Sequence, residues 1–516
     1  MPFKRTRKRS DKNRQHLVKG LLRWETLLFA AVAIGTVLRF YRIEENIVFH
    51  GELGHNYLAI KNAIASGKIP LLGPPTSHSW LSFGPLFYWI MAPILHMASY
   101  DPRAGAYFFA FLGAVTIVLN YSVVEKILNK RVAILSSVLM AISPAWLDLT
   151  RQARFFSLTA IFFYPFLYFF VKSLRENARS AKRSKQGKHL FWTGMFLGIM
   201  LNFHWSALAL LPAVLTMLYF RRKRIRKENW TKGAIGMLIP NIPFLLFNII
   251  NTFSMLAKFI VWIPYRVAGF VGLYPKNTVS IQVIHENLSS FYDFFRLGFL
   301  ADESVLSLTL VLAVLLFILL FTINELRKKR KNWAWLALVS LLIWLYSALF
   351  VHGEPPRHYY VVIYALPIVF LSMLLEKLLR KRHGKVLVVI VLITITVLNA
   401  RFLFSKQWFY RQQGVVSASS TVPFDLQLLT AKKIIKDAKG RKFTLSRVGP
   451  FDEFDGDYAQ NYQYLLWWLG NEPIETSSLK YTIYENTDRL PNLYEGRVYW
   501  IGNLAIVKED KGAKQQ

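Results

Sequence analysis

Residues 49–57 read FHGELGHNY, a carboxylate, Glu52, set between His50 and His55, with Gly51 and Gly54 beside it and Tyr57 close behind. At a lipid–water boundary such a carboxylate can work as a general base. Burial would raise its pKa and a neighbouring arginine would lower it. The same residue also suits the first turn of a helix over LGHNYLAIKNAIA, 53–65, where an acid complements the helix dipole. The two histidines lie five apart, a spacing that makes them a weak candidate for a metal site. Three more polar clusters follow: DLTRQARFFS (148–157) with Arg151 and Arg154; Asn202, His204 and Trp205; and HGEPPRHYY (352–360) with Arg357 and His358. Arginine suits phosphate because its planar fork offers two donors and its charge does not titrate away. One carboxylate and three arginines suggest a phosphate-bearing lipid headgroup meeting a base. Each arginine taken alone could instead touch lipid phosphate or cap a helix end.

The elements that must carry these residues are membrane spans. The 516 residues are 53% hydrophobic, yet the formal charge is +34. Both facts are met when apolar runs sit in lipid and basic runs in short loops on one side. Nucleic-acid binding is set aside because the Lys/Arg runs lie between apolar runs of about 18–20 residues, the length that crosses a bilayer. Cysteine is absent, which excludes disulfides and thiol chemistry. The basic segment 1–23 reads as a cytoplasmic tail, and the first span as Trp24 to Tyr41. Basic loops at 126–131, 172–188, 221–227, 327–331 and 377–385 are assigned to the cytoplasm. Parity then lets only one of Phe83–Ala98 and Ala104–Val124 cross. Phe83–Ala98, with Pro85 and Pro93, becomes a surface or re-entrant segment, and 42–103 becomes one large outer loop. Further spans are read at 132–146, 158–171, 190–203, 207–220, 234–250, 305–323, 333–351, 360–375 and 386–402. The expectation is an α-helical polytopic membrane protein with about eleven transmembrane helices in 24–404. All four polar clusters then share the extracytoplasmic side.

Residues 405–516 read as a small extracytoplasmic α+β domain. Helical periodicity runs over 425–438, a strand over 442–448, and a β-hairpin over 496–507 turns at Gly502-Asn503. FDEFDGDY (451–458) is a solvated acidic turn rather than a calcium loop, lacking the full spacing and the closing Glu.

Two stretches, GKIPLLGPPTSHSWLSFGPLFYWIMAP (67–93) and SPAWLDLTRQARFFSLTAIFF (143–163), follow the first span and the outer acid. In this order the chain resembles the GT-C membrane glycosyltransferases, over about residues 24–400. The branch it resembles is family 39, the polyprenyl-phosphate-sugar transferases related to protein O-mannosyltransferases and aminoarabinose lipid A transferase. The family's outer acid, usually Asp, falls on Glu52, and the Arg often found three residues later is His55. GPLFYW (84–89) is similar to the family's Pro-Pro-Leu-Tyr-Tyr-Trp segment without its preceding lysine. Arg151 and Arg154 fit an Arg-x-Ala-Arg motif, but Phe155-Phe156-Ser157 replaces the second acid that follows it in some members. Arg357 matches a Pro-Arg-Tyr-like element, with His358 in place of the first aromatic.

The resemblance implies an inverting glycosyltransferase of the cell membrane. It would move a sugar from a polyprenyl-phosphate-sugar donor to an extracytoplasmic acceptor (protein, lipid or glycan). Glu52 would be the base, and His55, Tyr57, Arg151, Arg154, His204, Arg357 and His358 would bind substrate. It leaves open whether a divalent cation takes part and implies no other cofactor. Membrane lipids are the remaining partners. Acceptor choice is expected to lie in 254–303 and the tail. A transporter or flippase of a lipid-linked saccharide would place polar residues in mid-span, whereas these spans are nearly clean. An oligosaccharyltransferase would carry a clear second acidic motif.

Overall fold

Bundled apolar helices make up the first four-fifths of the chain, and a small mixed sheet with two helices makes up the rest. The computed structural model describes residues 24–76, 78, 80–176, 185–273, 278–352, 355–405, 408–409, 422–449, 459–485 and 497–511. The basic segment 1–23 and the acidic turn 451–458 lie outside the described residues. Helix α1 covers residues 24–40. It is followed by α2 (Gly51–Ser66), α3 (Leu86–Met97), α4 (Ala104–Ile127), α5 (Lys130–Ile142), α6 (Pro144–Arg151), α7 (Ser157–Arg175) and α8 (Gln186–Leu201). Next come α9 (Leu210–Phe220), α10 (Lys227–Leu238), α11 (Ile242–Ile250), α12 (Ser254–Phe270), α13 (Ile281–Phe299), α14 (Val305–Arg327), α15 (Trp333–His352), α16 (Leu366–Leu379) and α17 (Gly384–Leu403).

Six of the described helical stretches are long and apolar enough to cross a membrane, with α10 and α11 joined into one 24-residue stretch. A seventh follows if the bent pair α5–α6 counts as one span. The chain is a membrane protein. Helix α14 exposes Leu308, Leu312, Leu316 and Leu319, a face that suits lipid rather than water. Helix α7 is central: 72% of its most apolar stretch is buried, against 22% in α14 and in α17. Helices α8 and α10 meet backbone to backbone. A Cβ on Gly194 would fall on the carbonyl of Gly233, and one on Gly236 on that of Phe191. Close approach of this kind is how small residues join helices without a hydrophobic driving force.

The expected span 132–146 is corrected. It breaks at Ser143 into α5 and α6, bent by 67°. Pro144 has no N–H to continue α5, so α6 restarts there. Ser143 caps the new helix by accepting from Trp146 N and donates to the carbonyl of Gly298 at 2.8 Å. The segment 254–303, read as an outer region without pattern, holds the helices α12 and α13.

In the tail, α18 (Phe424–Ala438) and α19 (Gln460–Trp468) accompany strands β1 (Thr444–Val448), β2 (Leu479–Tyr484), β3 (Arg497–Ile501) and β4 (Leu504–Asp510). The sheet order is β1-β2-β4-β3, with β1 parallel to β2 and the other neighbours antiparallel. Helix α18 buries Phe424, Gln427, Ala431, Ile434 and Ala438, one helical stripe. Gly502 takes positive φ in the β3–β4 turn, where glycine carries no Cβ penalty.

Candidate active site

Glu52 stands in the first turn of α2, so both readings of it hold together: a dipole-stabilised acid and a group facing a cleft. His50 is the N-cap. Its Nδ1 accepts from Leu53 N at 3.2 Å, which leaves the proton on Nε2. Burial, and then the charge of Arg154, lowers the His50 pKa to about 4, so the ring is neutral. A narrow cleft, with space for little more than a water molecule, is lined by Val48, His50, Glu52, Leu53 and Asn56 on one side. Ala153, Arg154, Phe155 and Phe156 line the other. Burial raises the pKa of Glu52, and the positive charge of Arg154 opposes part of that shift. The outcome is a carboxylate more basic than usual, facing a guanidinium, which suits a general base.

Arg154 sits where α6 has ended and α7 has not begun. Its amide bonds the carbonyl of Gln152 at 2.8 Å, and its own carbonyl accepts from Ser157 N at 3.0 Å. Its Nη1 donates to Asp148 Oδ2 at 3.2 Å, and its guanidinium lies 5.8 Å from the Phe156 ring centre. The Phe156 ring then leads away from the cleft. It stacks on His358 at 5.3 Å, and His358 meets His204 edge-on at 5.6 Å. His204 accepts at Nδ1 from Ser206 N at 3.2 Å, with Ser206 Oγ also 2.6 Å away, so its Nε2 carries the proton. Burial, and then His358, lowers its pKa to about 3. Glu52, Arg154 and Phe156 line the cleft, and the Phe156 ring connects it to His358 and, through that ring, to the buried His204.

Three expected site residues are elsewhere. Arg151 is corrected to a structural tie. It is 3% exposed, and its Nη1 donates to the carbonyls of Leu38 at 2.6 Å and Tyr41 at 2.8 Å. Its guanidinium also lies over Trp408 and Phe409. A cation here satisfies the carbonyl end of α1, which no further helical turn can do. Tyr57 is fully buried and packs on Phe49 and on Tyr464 of α19, away from the cleft. His55 is likewise turned toward α19, where Gln460 is its hydrogen-bond partner. The backbone of Arg357 opens the 3-10 turn Arg357–Ile363 beside His358; its side chain lies outside the described residues. Sequence reasoning missed Asp148, which orients Arg154, and Asn56, whose Oδ1 accepts from Tyr88 Oη at 3.0 Å at the cleft wall. Asp148 is six residues before Arg154, a spacing with no helical meaning because the chain turns between them. Among the described residues no three His, Asp or Glu side chains gather as a metal site.

This arrangement can be set beside known proteins. Residues 82–247 match the family model described as dolichyl-phosphate-mannose-protein mannosyltransferase. The solved structure of ArnT from Cupriavidus metallidurans bound to undecaprenyl phosphate superposes with a TM-score of 0.58. The match covers 93% of this chain and 97% of that one at 11% identity. The fold is GT-C. The archaeal oligosaccharyltransferase AglB from Archaeoglobus fulgidus, in complex with an inhibitory peptide and a dolichol-phosphate, shares this GT-C fold at a TM-score of 0.53 and 14% identity. That match covers 92% of this chain but only 62% of AglB. No curated protein sequence matches the chain. The GT-C segment recognised by the family model contains Arg154, Phe156 and His204 but begins after Glu52.

Proposed function

We propose that the chain is a membrane glycosyltransferase that moves a sugar from a polyprenyl-phosphate donor to an acceptor, with inversion. One observation carries this reading: Glu52, held above its usual pKa, and Arg154 line opposite sides of one cleft. The polyprenyl phosphate and dolichol-phosphate named with the GT-C neighbours support the donor class. The matched mannosyltransferase model supports a phosphate-linked sugar.

In this mechanism the acceptor hydroxyl or amine donates its hydrogen bond to Glu52. As its oxygen or nitrogen forms the bond to the anomeric carbon, its proton passes to the carboxylate. The bond from that carbon to the phosphate oxygen breaks on the opposite face, and its electron pair stays on the departing lipid phosphate. Arg154 is the cation that stabilises this growing charge, and the Nε2–H of His204 and the neighbouring His358 complete the phosphate side. Fixed donors aimed at developing charge supply the largest share of such catalysis. Arg151, Tyr57 and His55 are left out of this chemistry, because their side chains are engaged elsewhere. The cleft faces the extracytoplasmic side in this reading, one crossing away from the cytoplasmic 1–23, with about eleven crossings in all before the extracytoplasmic tail.

The test is transfer of label from radiolabelled polyprenyl-phosphate sugars in membranes carrying wild-type or Glu52→Gln protein. Release from the lipid by wild type, cut by about 10²–10⁴-fold in the variant, is expected. Equal release in both would remove Glu52 as the base.

A further inference from the structure

The helix that carries Glu52 does not stand alone in the membrane bundle. Its entry point is gripped by the C-terminal domain, some 370 residues later in the chain. Gln427 of α18 is 1% exposed and donates from Nε2 to the carbonyl of Phe49 at 2.7 Å and to that of Val422 at 2.8 Å. Its Oε1 accepts from Asn461 Nδ2 at 2.8 Å, and the same Nδ2 reaches the Phe49 carbonyl at 3.5 Å. Phe49 is the residue before the N-cap of α2, so fixing its carbonyl fixes where the helix begins. Two residues past Glu52, Gly54 lets α19 come into backbone contact: a Cβ there would fall 2.5 Å from Asn461 Cα. The Phe49 ring is fully buried and meets Phe424 at 5.9 Å and Tyr464 at 5.8 Å. Farther along, Tyr464 Oη donates to the carbonyl of Tyr100 at 2.6 Å, and Lys61 pairs with Glu472 at 2.9 Å.

This is more than a domain resting on a bundle. Buried carboxamides whose donors converge on one carbonyl favour a single geometry. Here that geometry is spent on a main-chain carbonyl three residues from the proposed base. The opposite wall of the cleft, Ala153–Phe156, belongs to the bundle. The two walls therefore come from different parts of the chain, and their separation is set by how α18 and α19 hold α2.

We infer that the C-terminal domain is a working part of the active site: through Gln427 and Asn461 it fixes the peptide at Phe49 and so holds Glu52 against Arg154. Gln427 and Asn461 are positioning residues that touch no substrate. The inference rests on Glu52 being the base, and its test separates the two.

Gln427→Met keeps the volume of the side chain and removes its hydrogen bonds; Asn461→Leu removes the second member of the pair and serves if the first folds poorly. Lys61→Ala, at the rim of the same interface, is the control. Full-length protein in nanodiscs is followed by amide hydrogen exchange and by transfer from the radiolabelled donor. Both variants are expected to exchange faster over residues 49–56 with α4 unchanged. The turnover number should fall on the order of 10–10²-fold, the scale of a displaced catalytic group, with little change in donor KM. The acid limb of the pH profile should move toward the ordinary carboxylate range, because a loosened Glu52 is better solvated. Unchanged exchange at 49–56, or turnover and pH profile equal to wild type and Lys61→Ala, would overturn the inference. Full activity in Glu52→Gln would instead remove the base assignment, while the exchange data would still decide whether the domain holds the turn.

Discussion

Arg151 and Arg154 are three residues apart, belong to one motif, and are given opposite jobs by the structure, so replacing each by leucine separates the jobs. Arg151→Leu removes two short charged hydrogen bonds, to the carbonyls of Leu38 and Tyr41, and a longer one to Arg42 at 3.4 Å. Hydrogen bonds from a charged donor contribute about 1.5–3 kcal/mol each, and the buried carbonyl of Leu38 loses this donor. Leucine recovers part of this by packing against Trp408 and Phe409. The net cost is about 3–5 kcal/mol, which in a chain of this size lowers the melting temperature by about 3–5 °C. Arg154 is different: its ion pair joins side chains that are 30% and 41% exposed. Such pairs contribute about 0–1 kcal/mol, so Arg154→Leu should melt within about 2 °C of wild type. The assay is tryptophan fluorescence during heating at one fixed scan rate in detergent, beside donor turnover on the same preparations. Arg151→Leu should lose stability, and Arg154→Leu should lose turnover. An Arg151→Leu protein that melts like wild type but cannot use donor would refute this division, as would an Arg154→Leu protein destabilised to the same degree.

Activity should depend on an ionised Glu52, whose pKa burial raises. The acid limb of kcat/KM is therefore expected above the ordinary carboxylate range, with activity lost as pH falls through it. Arg154→Gln removes the charge that opposes the shift, so the limb in its residual activity should move to higher pH; a move to lower pH would contradict the electrostatics. Sidedness is testable because the chain has no cysteine. Single cysteines at Lys68, beyond α2, and at Lys329, in the loop after α14, should react from opposite faces of intact cells with an impermeant maleimide. Labelling of both from one face would reverse the proposed topology.

Much of this was legible in the sequence because lipid leaves few choices. Apolar length identified most of the helices. Where the reading failed, a local contact had overridden the pattern. The run 132–146 is largely apolar, but Pro144 breaks it into α5 and α6. The motif around Arg151 and Arg154 pointed to the segment that lines the cleft, yet motif spacing cannot say which guanidinium faces the carbonyl end of α1. His55 and Tyr57 lie on the same short helix as Glu52, and their proximity in sequence suggested a common role. At about 100° per residue Tyr57 lies about 140° round α2 from Glu52, on the side that α19 covers, and His55 is drawn to Gln460 of that same helix. Nothing local in 49–57 announces that cover, because Gln427 and Asn461 belong to a domain with no sequence link to the first loop. Strand β2 and helix α19 were equally silent, since both take their meaning from tertiary partners.

The most direct test of the central claim is a density map of the full-length protein with polyprenyl phosphate bound. The phosphate should sit within hydrogen-bonding distance of Arg154, on the side of the cleft facing Glu52, with His204 Nε2 directed toward it. A phosphate bound away from that cleft, with Glu52 and Arg154 both remote from it, would contradict the account.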